Sequence, residues 1–450
     1  MIKSFKEKIY IAIKDQGLRR YLFNTIWLFS DQVLRLVAGL FVGIWVARYL
    51  GPNQFGILNY ALAFLAIFGV IAKLGLDSLI VRNIVNHPDK SDVYLGTAFW
   101  LKIIGAVITV TITGAYLLLS DEAYSTKVYI LLLTSSLIFQ SFEVTDFFFQ
   151  AKVLSKFTSI CKTIQLIISS LAKVYLISVR ADLLSFIMVQ FLDQITLGIT
   201  QFLAFRYYSK NSHFISRFNI EVAKDLLRNA WPLIFGSLVV MIYMRIDQIM
   251  IMKIIGEKEM GLFSAAVRLS EAWYFVPVII TNSLFPAVLN AKKTDEAEYK
   301  KRMQRLFNLM VIVSIGVAMP ISIASPWLVD IFYGKAYHAA AKILALHVWT
   351  GVFVSLGVAS SNSFLAENLQ KFGLWKAIAG AIINIVLNLL LIPKLGIIGA
   401  AFSTLVCQMC ASVFFNVLYK KSRPIFRMQM NAILFYENIF QGNKRRDLIK

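Results

Sequence analysis

Blocks of about twenty apolar residues recur along the whole chain, and they constrain the fold more than any other feature of the sequence. Inside a bilayer no water serves the backbone N–H and C=O groups, so each block must satisfy its own hydrogen bonds. The blocks are helix-length and lack the alternation of outer-membrane barrel strands, which leaves transmembrane α-helices. Composition agrees: 58% of the 450 residues are apolar and the mean hydropathy is +0.67. Spans fall near 22–48, 54–76, 95–119, 127–149, 157–179, 183–206, 228–254, 260–287, 304–324, 338–364, 372–392 and 396–419. The expected fold class is an all-α integral membrane protein with twelve transmembrane helices.

Basic residues give the direction. With both termini cytoplasmic, 32 of the 46 Lys and Arg residues fall on the inner side, 8 on the outer side and 6 within spans. An excess of Lys and Arg marks cytoplasmic loops, so an even number of spans with both ends inside is expected. The formal net charge of +21 is then mostly a signature of topology, and no nucleic-acid partner is implied. Within residues 1–20, Ile2, Phe5, Ile9 and Ile13 share one helical face and Lys3, Lys6, Lys8 and Lys14 take much of the rest. That reads as a cytoplasmic amphipathic segment lying on anionic membrane lipid. The 421–450 tail reads similarly, with Phe426, Ile433, Leu434, Phe435 and Phe440 among basic residues.

The chain repeats itself at an offset of 205 residues. Asn24 meets Asn229, Leu28 meets Leu233, and Gly51 and Gly56 of YLGPNQFGILNYA meet Gly256 and Gly261 of IIGEKEMGLFSAA. Six spans per half keep both halves in one orientation, which is a parallel repeat about the membrane normal. The expected divisions are an N-lobe over 21–208, a cytoplasmic linker over 209–227 and a C-lobe over 228–420.

Within this apolar frame the stretch YMRIDQIM (243–250) stands out. A charge at the bilayer centre costs about 2.5–3.5 kcal/mol on insertion scales, and embedded ionisable groups are functional candidates by default. The repeat aligns Arg245, Asp247, Arg268 and Glu271 with Leu40, Val42, Ala63 and Ala66, so the fold itself does not call for charge there. Helical rise puts Arg245 roughly 15 Å and Arg268 about 12 Å from the outer face, and Arg35 about 21 Å from the inner face. Asp31 with Arg35 and Arg268 with Glu271 are spaced to pair on one helix face, whereas Arg245 and Asp247 point apart, so Arg245 must find its partner across the bundle. Arginine suits phosphate because its planar fork engages two oxygens at once. Arg35, Arg245 and Arg268 are therefore candidate substrate contacts, joined at the inner mouth by Lys102. Asp31, Asp193, Asp247 and Glu271 are candidates for coupling an ion or for pairing charge. Pro277, Gly256 and Gly261 are candidate hinge positions.

Several chemistries find no support. The three cysteines lie in apolar segments, and the Cys407–Cys410 pair reads as helix packing. The four histidines have no metal-ligand spacing, and no phosphate-binding loop of the GxxxxGK[ST] type occurs. No catalytic residue, metal or cofactor is expected.

Two stretches resemble the Wzx-type polysaccharide flippases: WVARYLGPNQFGILNYA (45–61) with LGLDSLIVRNI (74–84), and MRIDQIMI (244–251) followed by GLFSAAVRLSEAWYFVP (261–277). These flippases are a family of the MOP (multidrug/oligosaccharidyl-lipid/polysaccharide) exporter superfamily, related to MATE transporters. The resemblance implies two six-helix lobes in a V shape and a place in the bacterial inner membrane. It implies flipping of undecaprenyl-pyrophosphate-linked oligosaccharide, a repeat unit of O-antigen, capsule or exopolysaccharide, to the outer leaflet by alternating access. H+ or Na+ would reset the carrier, and a polysaccharide polymerase and a chain-length regulator would be its partners. The rival readings are a MATE-like drug/cation antiporter, which needs an acidic, aromatic cavity, and a non-transporting scaffold, in which the embedded charges are dispensable.

Overall fold

In the computed structural model, residues 16–434 apart from Asn211 and Asn368 are described; the expected amphipathic segment up to residue 15 and the tail from residue 435 lie outside them. The first helix, α1 (Gln16–Lys73), is broken at Gly51, where φ is 67° and ψ 172°. Glycine reaches that region without steric cost, and Pro52 then starts the second arm, where a missing N–H is no loss. Eleven stretches among the described residues are long and apolar enough to cross a membrane. The first, Phe29–Asn86, spans 58 residues and can cross about 30 Å of hydrocarbon twice, which gives the twelve expected spans. No strand occurs among the described residues.

After α1 come α2 (Asp77–Asn86), α3 (Ser91–Leu119), α4 (Tyr124–Ser135), α5 (Val144–Ala151), α6 (Ser155–Ser178) and α7 (Leu183–Tyr208). The second half holds α8 (Ile220–Ile254), α9 (Glu257–Glu271), α10 (Phe275–Thr294), α11 (Glu296–Phe332), α12 (Ala340–His347), α13 (Thr350–Ala366), α14 (Gln370–Leu395), α15 (Ile397–Ser412) and α16 (Arg423–Ile433). The described residues form two compact units: one from 16–50 and 61–238, the other from 51–60 and 239–434.

The first unit is built around aromatic rings. Phe99, Phe148, Phe149, Phe205 and Phe214 are buried together with Leu76 and Ile80, and Phe148 meets Phe205 edge-on at 5.1 Å. Ala223, Leu226 and Ala230 of α8 join this core, which is why the beginning of α8 belongs to the first unit. In the second unit Met303, Phe307, Met310 and Val311 of α11 pack on Leu356 and Ala359 of α13. Helix α11 starts cleanly because Asp295 accepts a hydrogen bond from the Ala297 N–H and Glu296 and Glu298 fill its first turn. Helix α16 turns Ile425, Gln429 and Ala432 inward onto this unit and keeps Arg423 and Arg427 exposed.

The repeat is visible as a contact. A Cβ on Gly56 would lie 1.9 Å from the Glu257 carbonyl oxygen, and a Cβ on Gly261 would lie 1.9 Å from the Pro52 carbonyl oxygen. The 205-residue offset maps Pro52 onto Glu257 and Gly56 onto Gly261, so the approach is reciprocal. Gly256 repeats the backbone of Gly51, with φ 117° and ψ −172°. Gly256 and Gly261 therefore serve a sharp turn and a close approach. Pro277 lies in the first turn of α10, after the break at residues 272–274, where its missing N–H costs little. Pro286 and Pro320 sit inside α10 and α11.

The contact makes a testable demand. Gly56→Ala or Gly261→Ala forces backbones apart and should lower the unfolding midpoint of the detergent-purified protein, at an overpacking cost of about 1–3 kcal/mol. Gly316→Ala, with nothing within 4 Å of its added Cβ, should not. Equal losses in all three would show that the approach is not what constrains these positions.

Candidate functional site

Arg245 and Asp247 leave α8 on opposite sides and find different partners. The Arg245 Nη2 donates to Glu271 Oε2 at 3.2 Å, across to the end of α9. Arg245 is thus no bare cation: a carboxylate from the neighbouring helix answers it, and Glu271, expected to pair with Arg268, is that partner. The pair is not sealed, since the two side chains keep 28% and 21% of their surface. Asp247 is 3% exposed. Its Oδ1 accepts the Asn388 amide of α14 at 2.6 Å, and its Oδ2 accepts the Thr404 hydroxyl of α15. Among the described residues no Lys or Arg stands within ion-pair distance of Asp247.

Around the two carboxylates lies a narrow pocket of about 10 Å³, room for about one water, wholly within the second unit. Asp247, Gln248, Phe263, Glu271, Tyr274, His347, Thr350 and Thr404 are in its wall. Its polar groups are tied to one another. The Thr350 hydroxyl donates to the His347 carbonyl at 2.6 Å, so the Tyr274 hydroxyl, 2.6 Å from Thr350 Oγ1, is the donor to it. Ser270 Oγ and His347 Nδ1 share a hydrogen bond at 2.8 Å. Asn388 also donates to Asn384 Oδ1 at 3.2 Å, while Asn388 Oδ1 and Asn384 Nδ2 are buried without a partner among the described residues. Arg268, one turn before Glu271, is largely withdrawn from solvent and has further partners of its own.

The first unit treats its embedded charges differently. Arg35 donates to Asp31 at 3.1 Å and to Gln165 Oε1 of α6 at 3.4 Å. Lys173 stands 3.4 Å from Asp193, and Ser169 donates to the same carboxylate at 2.8 Å, so Asp193 is neutralised where it sits. Lys102, read from the sequence as a substrate contact, is only 2% exposed. It lies 3.5 Å from Glu143, 4.0 Å from Asp77 and over the Phe147 ring at 4.9 Å. Two carboxylates already satisfy it, which corrects that expectation: a buried cation so compensated holds α2, α3 and the segment before α5 together.

The model of the polysaccharide biosynthesis protein family matches residues 21–292, well over half of the chain. The chain belongs to the polysaccharide biosynthesis protein family. A second family model, MatE, matches residues 232–390, which hold the pocket. Among curated relatives, the capsular polysaccharide biosynthesis protein CapF of Staphylococcus aureus is 22% identical over 88% of this chain and 99% of its own length. The putative O-antigen transporter of Shigella flexneri is 21% identical over 90% and 98%. Among solved structures, the lipid II flippase MurJ in an inward closed conformation superposes with a TM-score of 0.69 at 15% identity, covering 94% of this chain and 93% of that one. The fold of this family member is thus that of the MOP-like membrane transporters, and the protein is a multi-pass membrane protein.

Sequence reasoning found both carboxylates of the site and missed what surrounds them. Asn388 ties α14 to α8 through Asp247, and Asn384 accepts from Asn388 one turn away. His347, Thr350 and Thr404 carry no spacing that singles them out; they reach the pocket only through the packing of α12, α13 and α15 on α9. For this family member, Asp247→Ala should lower stability by about 1–3 kcal/mol, because the Asn388 and Thr404 donors lose their buried acceptor. Asp247→Asn should cost less, since Thr404 can turn to the Ala400 carbonyl 3.0 Å away. Thermal unfolding in detergent measures both; an Asp247→Ala protein as stable as the parent would remove Asp247 from the packing account.

Proposed function

We propose that the protein is a flippase that moves a polyprenyl-diphosphate-linked oligosaccharide, a repeat unit for polysaccharide assembly, across the bacterial inner membrane. One observation carries the reading: Arg245, a guanidinium in mid-span, is held by a single carboxylate and remains open to an incoming anion. A phosphate oxygen pair can take the place of Glu271 on the Arg245 fork, a geometry to which arginine is suited. Glu271, released, then takes up a proton or a cation. Substrate binding and ion binding are thereby linked in one exchange. Arg268, a turn of helix away, and Arg35 of the first unit are further candidate contacts for the headgroup. No covalent step is needed, and movement proceeds by alternating access.

Asp247 is the second candidate for coupling. A carboxylate this buried, met only by neutral donors, is costly as a bare anion, so it holds either a proton or a small cation such as Na+. The MatE match and the acidic, aromatic wall of the pocket, with Asp247, Glu271, Phe263 and Tyr274, support a second reading, a cation antiporter. The two differ in what Arg245 does. A flippase needs its positive charge for the diphosphate, whereas an antiporter uses the carboxylates and keeps Arg245 as their counter-charge. A polymerase and a chain-length regulator are the partners such a flippase would serve.

Complementation of a flippase-null strain, with analysis of the restored glycan, tests the reading. Arg245→Ala should abolish complementation while the protein still accumulates, because Glu271, left without its partner, can take up a proton and leave no stranded charge. Arg245→Lys should retain part of the activity, since the charge survives without the fork. Full activity in Arg245→Ala would refute the substrate role. If Arg245→Ala/Glu271→Gln restores transport, the pair is structural and the role is likewise refuted.

The positive-inside bias places both termini and residues 288–304 in the cytoplasm. Cysteines replacing Ser216 and Lys300, both exposed, should react with an impermeant maleimide only after permeabilisation, whereas one replacing Asp121 should react in intact cells. The reverse pattern would invert the topology and the direction of transport.

A further inference from the structure

Lys376, on the first turns of α14, is 6% exposed. Its ammonium donates to Asn416 Oδ1 at 2.6 Å and lies over the Phe364 ring at 4.3 Å. Among the described residues no carboxylate stands within ion-pair distance of it. Lys102 of the other unit shows the contrast, with two carboxylates around a similarly buried ammonium. A lysine nitrogen has three donors, and Lys376 spends one on Asn416.

Lys376 is in the wall of a cavity of about 320 Å³ in the second unit. Ser360, Ser361, Gln408 and Ser412 supply other polar groups of that wall. Met244 and Gln408 belong to this cavity and to the pocket of Asp247 and Glu271 alike, so the two are neighbours. Along α14, Lys376 is about 18 Å from Asn388, the residue that holds Asp247. Asn416 is itself fixed: its amide donates to Gln429 Oε1 of α16 at 2.7 Å and to the Ser412 carbonyl at 3.0 Å, which leaves Oδ1 turned to Lys376. The lysine is thus positioned, desolvated and short of a negative partner.

We propose that this cavity is a second anion site, which takes a phosphate-bearing lipid headgroup with Lys376 as its ligand. Desolvated ammonium groups bind phosphate oxygens strongly, and the surrounding serine hydroxyls can supply further hydrogen bonds. Two lipids carry this chemistry: the isoprenoid diphosphate of the proposed substrate and an anionic glycerophospholipid. The proposal rests on the flippase reading only for the first. The cavity is walled by the middle of α8, at Val240, Tyr243 and Met244, together with α13, α14 and α15, so a headgroup held by Lys376 would lie beside Arg245.

The test uses the full-length protein in phosphatidylcholine nanodiscs, with farnesyl diphosphate as the probe. Wild-type protein should bind it, Lys376→Gln should weaken binding by about tenfold or more, and Lys376→Arg should keep most of it. Ser361→Asp adds a negative charge at an exposed position of the same wall, where folding is not at stake, and should weaken binding as well. Replacing part of the phosphatidylcholine with phosphatidylglycerol separates the sources. Displacement of the probe in wild type but not in Lys376→Gln assigns the site to phospholipid, and persistence of probe binding assigns it to the diphosphate; both support the site. Unchanged probe binding in folded Lys376→Gln and in Ser361→Asp overturns it. The assay involves no transport, so a protein that binds through Lys376 without flipping would count against the flippase reading alone.

Discussion

Arg245 of α8 and Glu271 of α9 meet at 3.2 Å within the second unit, and the polar groups around them answer one another by the same need for compensation. A charge withdrawn from water must be answered nearby, because leaving it alone costs more than the answering pair. With Glu271 engaged by Arg245, Asp247 is left to the other side of α8, where Asn388 and Thr404 hold it. The pocket lies among these groups because the partners come from four different helices. The first unit obeys the same rule with local answers: Arg35 with Asp31, Lys173 with Asp193, Lys102 with Glu143. Exposure alone does not separate the arginine pairs, since Arg35 keeps 34% of its surface and Arg245 28%; the proposed exchange with an external anion rests on the second pair joining two helices, where Arg35 and Asp31 lie on one. Lys376 is the departure from the rule, and it lies beside a cavity.

The internal repeat shows how the same backbone was kept while its chemistry diverged. Gly51 and Gly256 make the same non-helical turn, and Gly56 and Gly261 each accept the other repeat's carbonyl where a side chain would stand. Backbone demands of that kind leave a mark in the sequence, because only glycine meets them. The charges at 245, 247, 268 and 271 align with apolar or small residues in the first repeat, so the shared frame does not call for them.

Helix number, span positions and the repeat were legible because the bilayer turns hydrophobicity directly into secondary structure. The splitting of Arg245 from Asp247 was legible too, since two residues on a helix cannot share a face. The identity of the partner was not. Glu271 lies three residues from Arg268 and 26 from Arg245, and only the meeting of α8 with the end of α9 decides which arginine it pairs with. Lys102 and Lys376 mark the limit from both sides. Charge counting treated the first as available and the second as a loop residue; whether a lysine is compensated depends on contacts far away in sequence, such as Glu143 for one and Asn416 for the other.

The central claim is that the protein moves a lipid-linked diphosphate and not a soluble cation, although its pocket is lined by carboxylates. Reconstitution of the purified protein into liposomes decides between them. A fluorescent polyprenyl-diphosphate disaccharide in one leaflet and a cationic dye in the lumen can be followed in the same preparation, without ATP and under an imposed proton or sodium gradient. The account predicts protein-dependent movement of the lipid to the other leaflet, with no gradient-driven loss of the dye. Gradient-driven export of the dye, with the labelled lipid remaining in its leaflet, would contradict it.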